Sequence, residues 1–195
     1  KEPGVDFGWL LLLKIVGCMF FARNSAMGFN RYADREIDAR NPRTLFREIP
    51  SGKITPRQAL TFVIINIVLF LLTALSINLL CFILAFPALA VLLGYSYTKR
   101  YTWLSHYVLG IALGIAPSAA FVAMTGYFTP AILVLSLSVF LWSASFDILY
   151  SLSDEEIDRQ QGLHSIPQKF GRVKAMRISL IGHLLLFILI PLFGR

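Results

Sequence analysis

Six apolar runs dominate the chain, at about 9–29, 59–79, 80–98, 103–124, 130–150 and 178–193. Each is close to the roughly 20 residues that an α-helix needs to cross the hydrocarbon core of a bilayer. A soluble domain of 195 residues has no interior large enough to bury them all, and 56% of the chain is hydrophobic against 15% charged. The pattern predicts an all-α fold, a polytopic membrane helix bundle with six spans and the lipid bilayer as its surroundings.

The breaks between the runs differ in kind. Segments 30–58, 99–102 and 151–177 are charged, while the other connections are short and uncharged. Fourteen of the eighteen Lys and Arg residues lie in these three charged connectors. They follow the first, third and fifth spans, so all three face one side, which the positive-inside rule makes cytoplasmic. The net charge of +7 is therefore a topological signal. It forms no basic stripe of the kind a nucleic-acid partner requires. Cys18 and Cys81 lie inside apolar runs and suit packing, with no CxxC or Cys/His pattern. The opening "KEPGVDFG" is polar, and no small-residue cleavage site follows it, so no signal peptide is expected.

The densest charge is "NRYADREIDARNPRTLFREIP", residues 30–50, with four carboxylates and five arginines. Asn30, Asp34 and Asp38 are four apart, which on a helix places them on one face as a ladder. Asp147, Asp154 and Asp158 repeat the arrangement after the fifth span if that helix continues through the stretch. An apolar helix running into Asp-x-x-x-Asp and then a basic stretch thus occurs twice, at 21–47 and 141–174. Paired hard oxygen ligands suit Mg²⁺, which takes one or two carboxylates together with substrate phosphate oxygens. The ligand implied is a diphosphate bridged by Mg²⁺.

Basic residues extend this reading. Arg43 and Arg47 share a helical spacing, and guanidinium forks match phosphate geometry. Lys99 and Arg100 end the third span on the same side. Arg23, seven residues before Asn30, is an intramembrane charge and so a candidate for a cavity. Tyr150 lies three residues after Asp147 and four before Asp154, where its ring face would stabilise a carbocation. Interfacial ion pairs are the bland alternative, joining Asp34 to Arg31 and Asp38 to Arg35. His106 and His164 suit either phosphate binding or an interfacial position, and His183 suits helix packing.

The stretches "NRYADREID", "RTLFREIPSGKIT", "YTKRYTWLSHYVLG" and "DILYSLSDEEIDRQQGLHSIPQKFG" resemble the UbiA superfamily of intramembrane aromatic prenyltransferases, most closely its 4-hydroxybenzoate polyprenyltransferase branch. The resemblance covers nearly the whole chain. It implies that Asn30, Asp34, Asp38, Asp147, Asp154 and Asp158 hold the Mg²⁺ diphosphate of a polyprenyl donor. It also matches Arg23, Arg43, Arg47, Lys99 and Arg100 to basic positions of the family. Arg31 stands where many members carry an acidic residue. Members usually have nine spans, so residues 1–195 are expected to be one integral-membrane domain that is incomplete at both ends.

The resemblance implies a Mg²⁺-dependent transfer of a polyprenyl group to a small aromatic acid, 4-hydroxybenzoate, for quinone synthesis at a bacterial inner membrane. A naphthoate acceptor, for menaquinone, is the near alternative. From a different class, a divalent-cation transporter would use the same ladders, although it requires acidic residues along a path through the bilayer. Here they cluster at one side.

Overall fold

The computed structural model describes residues 8–193; most of the polar "KEPGVDFG" stretch lies outside them. The described residues form helices and turns. Six helices are long and apolar enough to cross a membrane: α1 (Trp9–Ala33), α3 (Pro56–Ile77), α4 (Leu79–Thr98), α5 (Ser105–Thr125), α6 (Pro130–Ser151) and α9 (Arg172–Phe193). Between them lie three short helices, α2 (Arg35–Ala39), α7 (Glu155–Gln160) and α8 (Ile166–Phe170). The expected spans are therefore present within a few residues, except that α9 begins six residues earlier. The short helices lie in the charged connectors.

Local chemistry sets the boundaries. Thr55 caps α3 through a reciprocal box with Gln58, and Pro56 occupies its first turn. At α6 the Thr129 hydroxyl accepts the Ile132 N–H and Pro130 occupies the first turn, without a reciprocal side-chain bond. Asn78 adopts an extended conformation and breaks α3 from α4, and its side-chain oxygen accepts the Cys81 N–H at 2.8 Å.

The chain divides into two compact units, Lys1–Ser96 and Tyr97–Arg195. In the first, α1 and α3 pack antiparallel, and α4 joins them through a core of Phe70, Ala74, Ala85 and Leu89. Lys14, an intramembrane charge on α1, donates to the Ser76 carbonyl at 2.6 Å and so meets the negative C-terminal end of α3. In the second unit, α6 packs against both α5 and α9. The approach of α5 to α6 depends on two glycines. A Cβ on Gly110 would lie 2.9 Å from the Phe140 carbonyl oxygen, and one on Gly114 equally close to that of Ser136. Small residues at such positions let membrane helices touch backbone to backbone, which apolar side chains of ordinary size prevent. His183 has the packing role expected of it, with Nδ1 against the Ser179 carbonyl at 2.9 Å and its ring edge-on to Trp142.

Candidate active site

Each unit presents one acidic segment, and the two share a local geometry. In the first unit Asp34 separates α1 from α2 at φ −92°, ψ 5°. Helical bonding continues across it, because the Asp34 N–H donates to the Asn30 carbonyl at 2.9 Å and the Asp38 N–H to the Asp34 carbonyl at 2.7 Å. The expected ladder of Asn30, Asp34 and Asp38 is therefore realised. The Asn30 amide donates to Asp34 Oδ2 at 3.2 Å and reaches Ser96 Oγ on α4 at 3.5 Å.

Asp34 and Asp38 are buried, at 2% and 4% exposure. Asp38 turns to Arg47, whose Nη1 lies 2.8 Å from both carboxylate oxygens. The Thr44 hydroxyl donates to the Asp38 carbonyl at 3.0 Å, fixing the turn that brings Arg47 back. This differs from the surface pairing considered for the sequence. Arg31 approaches Glu48 at 3.9 Å, and Arg35 pairs with Glu36 and covers the Tyr32 ring. The helical spacing expected for Arg43 and Arg47 is not realised, since residues 41–52 form turns. Pro42 disfavours helix at Asn41, whose side-chain oxygen accepts the Arg43 N–H at 2.9 Å. Arg43 is exposed, as is Arg23, whose Nε donates to Met27 Sδ at 3.4 Å.

In the second unit Asp154 takes the equivalent position, at φ −107°, ψ 1° before α7. The Asp158 N–H donates to its carbonyl at 2.8 Å. Asp147 does not continue this ladder. Leu152, Ser153 and Asp154 each donate to the residue three before it, at 3.1–3.3 Å, so the chain tightens out of the α-helical register after α6. Asp147 instead accepts from His106 Nδ1 at 2.6 Å. His106 is 4% exposed, and its Nε2 accepts the Ile166 N–H at 3.3 Å. Both ring nitrogens are engaged, which removes it as a phosphate ligand.

Asp158 is held near Lys99 and beside Asp154, with the Ser165 hydroxyl on its carboxylate. Burial pushes its carboxyl above the usual aspartate range; the Asp154 charge adds to the rise, while Ser165 and Lys99 oppose it. Lys99 is also fixed through its backbone, its carbonyl accepting the His164 N–H at 2.7 Å. The Arg100 guanidinium stacks over the Tyr97 ring at 5.1 Å. Tyr150, at the end of α6, is 53% exposed.

Sequence reasoning missed Ser96 and Ser165 as contributors, and it offered His106 a phosphate-binding or interfacial role in place of its link to Asp147. His106 and Asp147 are 41 residues apart, and no local pattern joins them. The donors of both segments are oxygen atoms in pairs, with no thiolate or imidazole among them. Among the described residues no three acidic, His or Cys side chains form a ready-made metal cage. Mg²⁺ does not require one, because it keeps waters and shares substrate phosphates. The donor set fits that ion.

Six apolar helices of spanning length, with oxygen-rich acidic segments at two helix ends, define an integral membrane protein. The chain belongs to the UbiA prenyltransferase family, whose model it matches over residues 2–195. It is 32% identical to the 4-hydroxybenzoate octaprenyltransferase of Citrobacter koseri over 92% of this chain and 62% of that protein. Relatives of the same name from Salmonella newport are 31% identical. The chain thus spans about three fifths of the length of the curated relatives it matches. A UbiA homolog from Aeropyrum pernix K1 superposes with TM-score 0.91 at 30% identity, over 98% of this chain and 74% of that one. A UbiA homolog from Archaeoglobus fulgidus, solved bound to DMAPP and Mg²⁺, shares the fold with TM-score 0.80 at 22% identity, over 95% and 67%.

Proposed function

We propose that this chain is the catalytic part of a polyprenyltransferase that moves a polyprenyl group from its diphosphate to an aromatic acid, 4-hydroxybenzoate. The observation that carries the proposal is the repeated turn. Asp34 and Asp154 each precede a short helix that delivers a second aspartate, Asp38 or Asp158, one turn on. The choice of acceptor is supported by the curated relatives, which are named 4-hydroxybenzoate octaprenyltransferases.

Asn30, Asp34, Asp38, Asp154 and Asp158 would hold Mg²⁺, which when bound would supply positive charge to stabilise the departing diphosphate. Lys99, Arg100, Arg43 and Arg47 contribute positive charge to the same oxygens. Diphosphate departs with the bonding electron pair of its C–O bond. The acceptor's ring carbon beside the phenolic oxygen supplies the pair for the new C–C bond and then loses its proton. Tyr150 offers a ring face to the allylic cation. Arg23 serves either the diphosphate or the acceptor carboxylate. Apolar helices exclude water, which would otherwise quench the cation. The basic connectors favour a site on the cytoplasmic side of a bacterial inner membrane.

Incubating the full-length protein in membranes with a short prenyl diphosphate, Mg²⁺ and a panel of phenolic acids tests this. The expected product has the mass of prenylated 4-hydroxybenzoate. Product from a naphthoate alone replaces the acceptor, and absence of any transfer overturns the proposal.

A further inference from the structure

Three consecutive residues in the second unit each tie down a different part of the acidic site. The His164 N–H donates to the Lys99 carbonyl at 2.7 Å. The Ser165 hydroxyl binds the Asp158 carboxylate and also accepts the Gln168 N–H at 3.4 Å, capping α8. The Ile166 N–H donates to His106 Nε2 at 3.3 Å, and His106 Nδ1 passes the linkage to Asp147 on α6. Ser165, Ile166 and Pro167 are buried, so water does not compete for the bonds of Ser165 and Ile166, while His164 itself is exposed.

We infer that residues 164–166 form a strap that sets the position of Asp158 and Lys99, with His106, Asp147 and Ser165 as positioning residues. This rests on the diphosphate reading of the site. The geometry also assigns the state of His106. Its Nε2 accepts a backbone N–H and therefore carries no proton, so the proton is on Nδ1 and is donated to Asp147. Asp147 thereby orients an imidazole, as an outer-shell carboxylate orients a metal-binding histidine. It does so for a histidine whose other nitrogen grips the backbone beside Ser165.

The logic of the strap is economy of motion. Asp158 is carried by a helix of six residues that begins after a run of tight turns, and such a helix does not hold its own orientation. Ser165 supplies a lateral anchor, and the Leu163 N–H supplies another by donating to the Asp158 carbonyl at 2.8 Å. Anchoring Ser165 in turn requires a fixed neighbour, and the His106 bond to Ile166 provides it.

The test uses the full-length protein in detergent, titrated by calorimetry with the S-thiolo analogue of geranyl diphosphate in the presence of Mg²⁺. Ser165→Ala is expected to weaken binding about tenfold, the low end of the effect of losing outer-shell support. His106→Phe should do the same, and Ser165→Thr, which keeps the hydroxyl, should restore it. Thermal unfolding of each variant is measured alongside; if His106→Phe does not fold, the two Ser165 variants decide. Folded Ser165→Ala that binds as the wild type does, or Ser165→Thr that binds as weakly as Ser165→Ala, overturns the strap alone. A wild type that binds no analogue overturns the diphosphate reading and the strap together. Independently of any ligand, ¹⁵N spectra of ring-labelled histidine should show the His106 proton on Nδ1. A proton on Nε2 overturns the linkage.

Discussion

The two acidic segments are alike in backbone and unlike in electrostatics. Asp34 and Asp154 adopt nearly the same φ and ψ, and each precedes a short helix carrying the second aspartate. In the first segment that second aspartate, Asp38, is buried and clasped by Arg47. In the second, Asp158 has Asp154 and Lys99 as charged neighbours, and burial raises its pKa. In the first segment Asp38 is neutralised from within its own connector. The other retains a carboxylate that the fold would hold more easily with a proton or a cation on it. Duplicated local structure thus does not imply duplicated roles. Asp38 in the first segment has its counter-charge in place, whereas Asp158 in the second gains most from a bound cation.

The largest expected effect treats the segments as equals. If both segments serve the proposed transfer, Asp34→Ala and Asp154→Ala should each reduce it by more than about 100-fold, beyond the usual loss from outer-shell changes. Product mass with a short prenyl diphosphate is the measurement, with folding checked by thermal unfolding. A variant in either segment that retains near-native transfer removes that segment from the chemistry.

A second experiment separates them through stability. Arg47→Ala leaves the Asp38 carboxylate buried without its guanidinium. Arg47 is itself partly exposed, so the expected cost is about 2 kcal/mol, below the roughly 3–5 kcal/mol of breaking a fully buried pair. Asp38→Asn combined with Arg47→Ala should recover most of that loss, because the stranded charge is gone. Equal destabilisation of the single and double variants would show that Arg47 acts through packing.

Asp158→Asn should have the opposite sign. A carboxyl whose folded pKa is raised contributes stability below its unfolded pKa and loses it as pH rises through the folded value. Near neutral pH without metal, the amide is therefore expected to unfold a few degrees higher than the wild type. The gap should close as pH falls below the ordinary carboxylate range. Transfer should be lost in the same variant, so stability and activity move apart.

The sequence made the spans and the first ladder legible for one physical reason. Helical periodicity survives across Asp34, and residues four apart in sequence remain one turn apart in space. Asp147 was misplaced for the converse reason. Its distance from Asp154 was counted along a helix that ends at Ser151, and the turns that follow are tightened by bonds between residues three apart. Arg43 failed likewise, at an Asn-Pro turn whose signal was visible in residues 41–42. His106 and Ser96 were out of reach of any local rule, because their partners come from other helices.

The smallest expected effect is a control on the comparison. Each segment also includes an arginine paired with a carboxylate, Arg47 with Asp38 and Arg159 with Glu155, and by composition the two pairs look equivalent. They differ in burial and geometry. Arg159 reaches Glu155 at 3.5 Å across one helical turn, and its side chain is 61% exposed against 18% for Glu155. Pairs of that kind are worth about 0–0.5 kcal/mol, since water screens the charges and ordering two long side chains costs entropy. Arg159→Ala should therefore leave the unfolding temperature and the rate of transfer unchanged within error. A loss comparable to that of Arg47→Ala would mean that the second segment depends on an arginine clasp after all, and the contrast drawn between the two would fail.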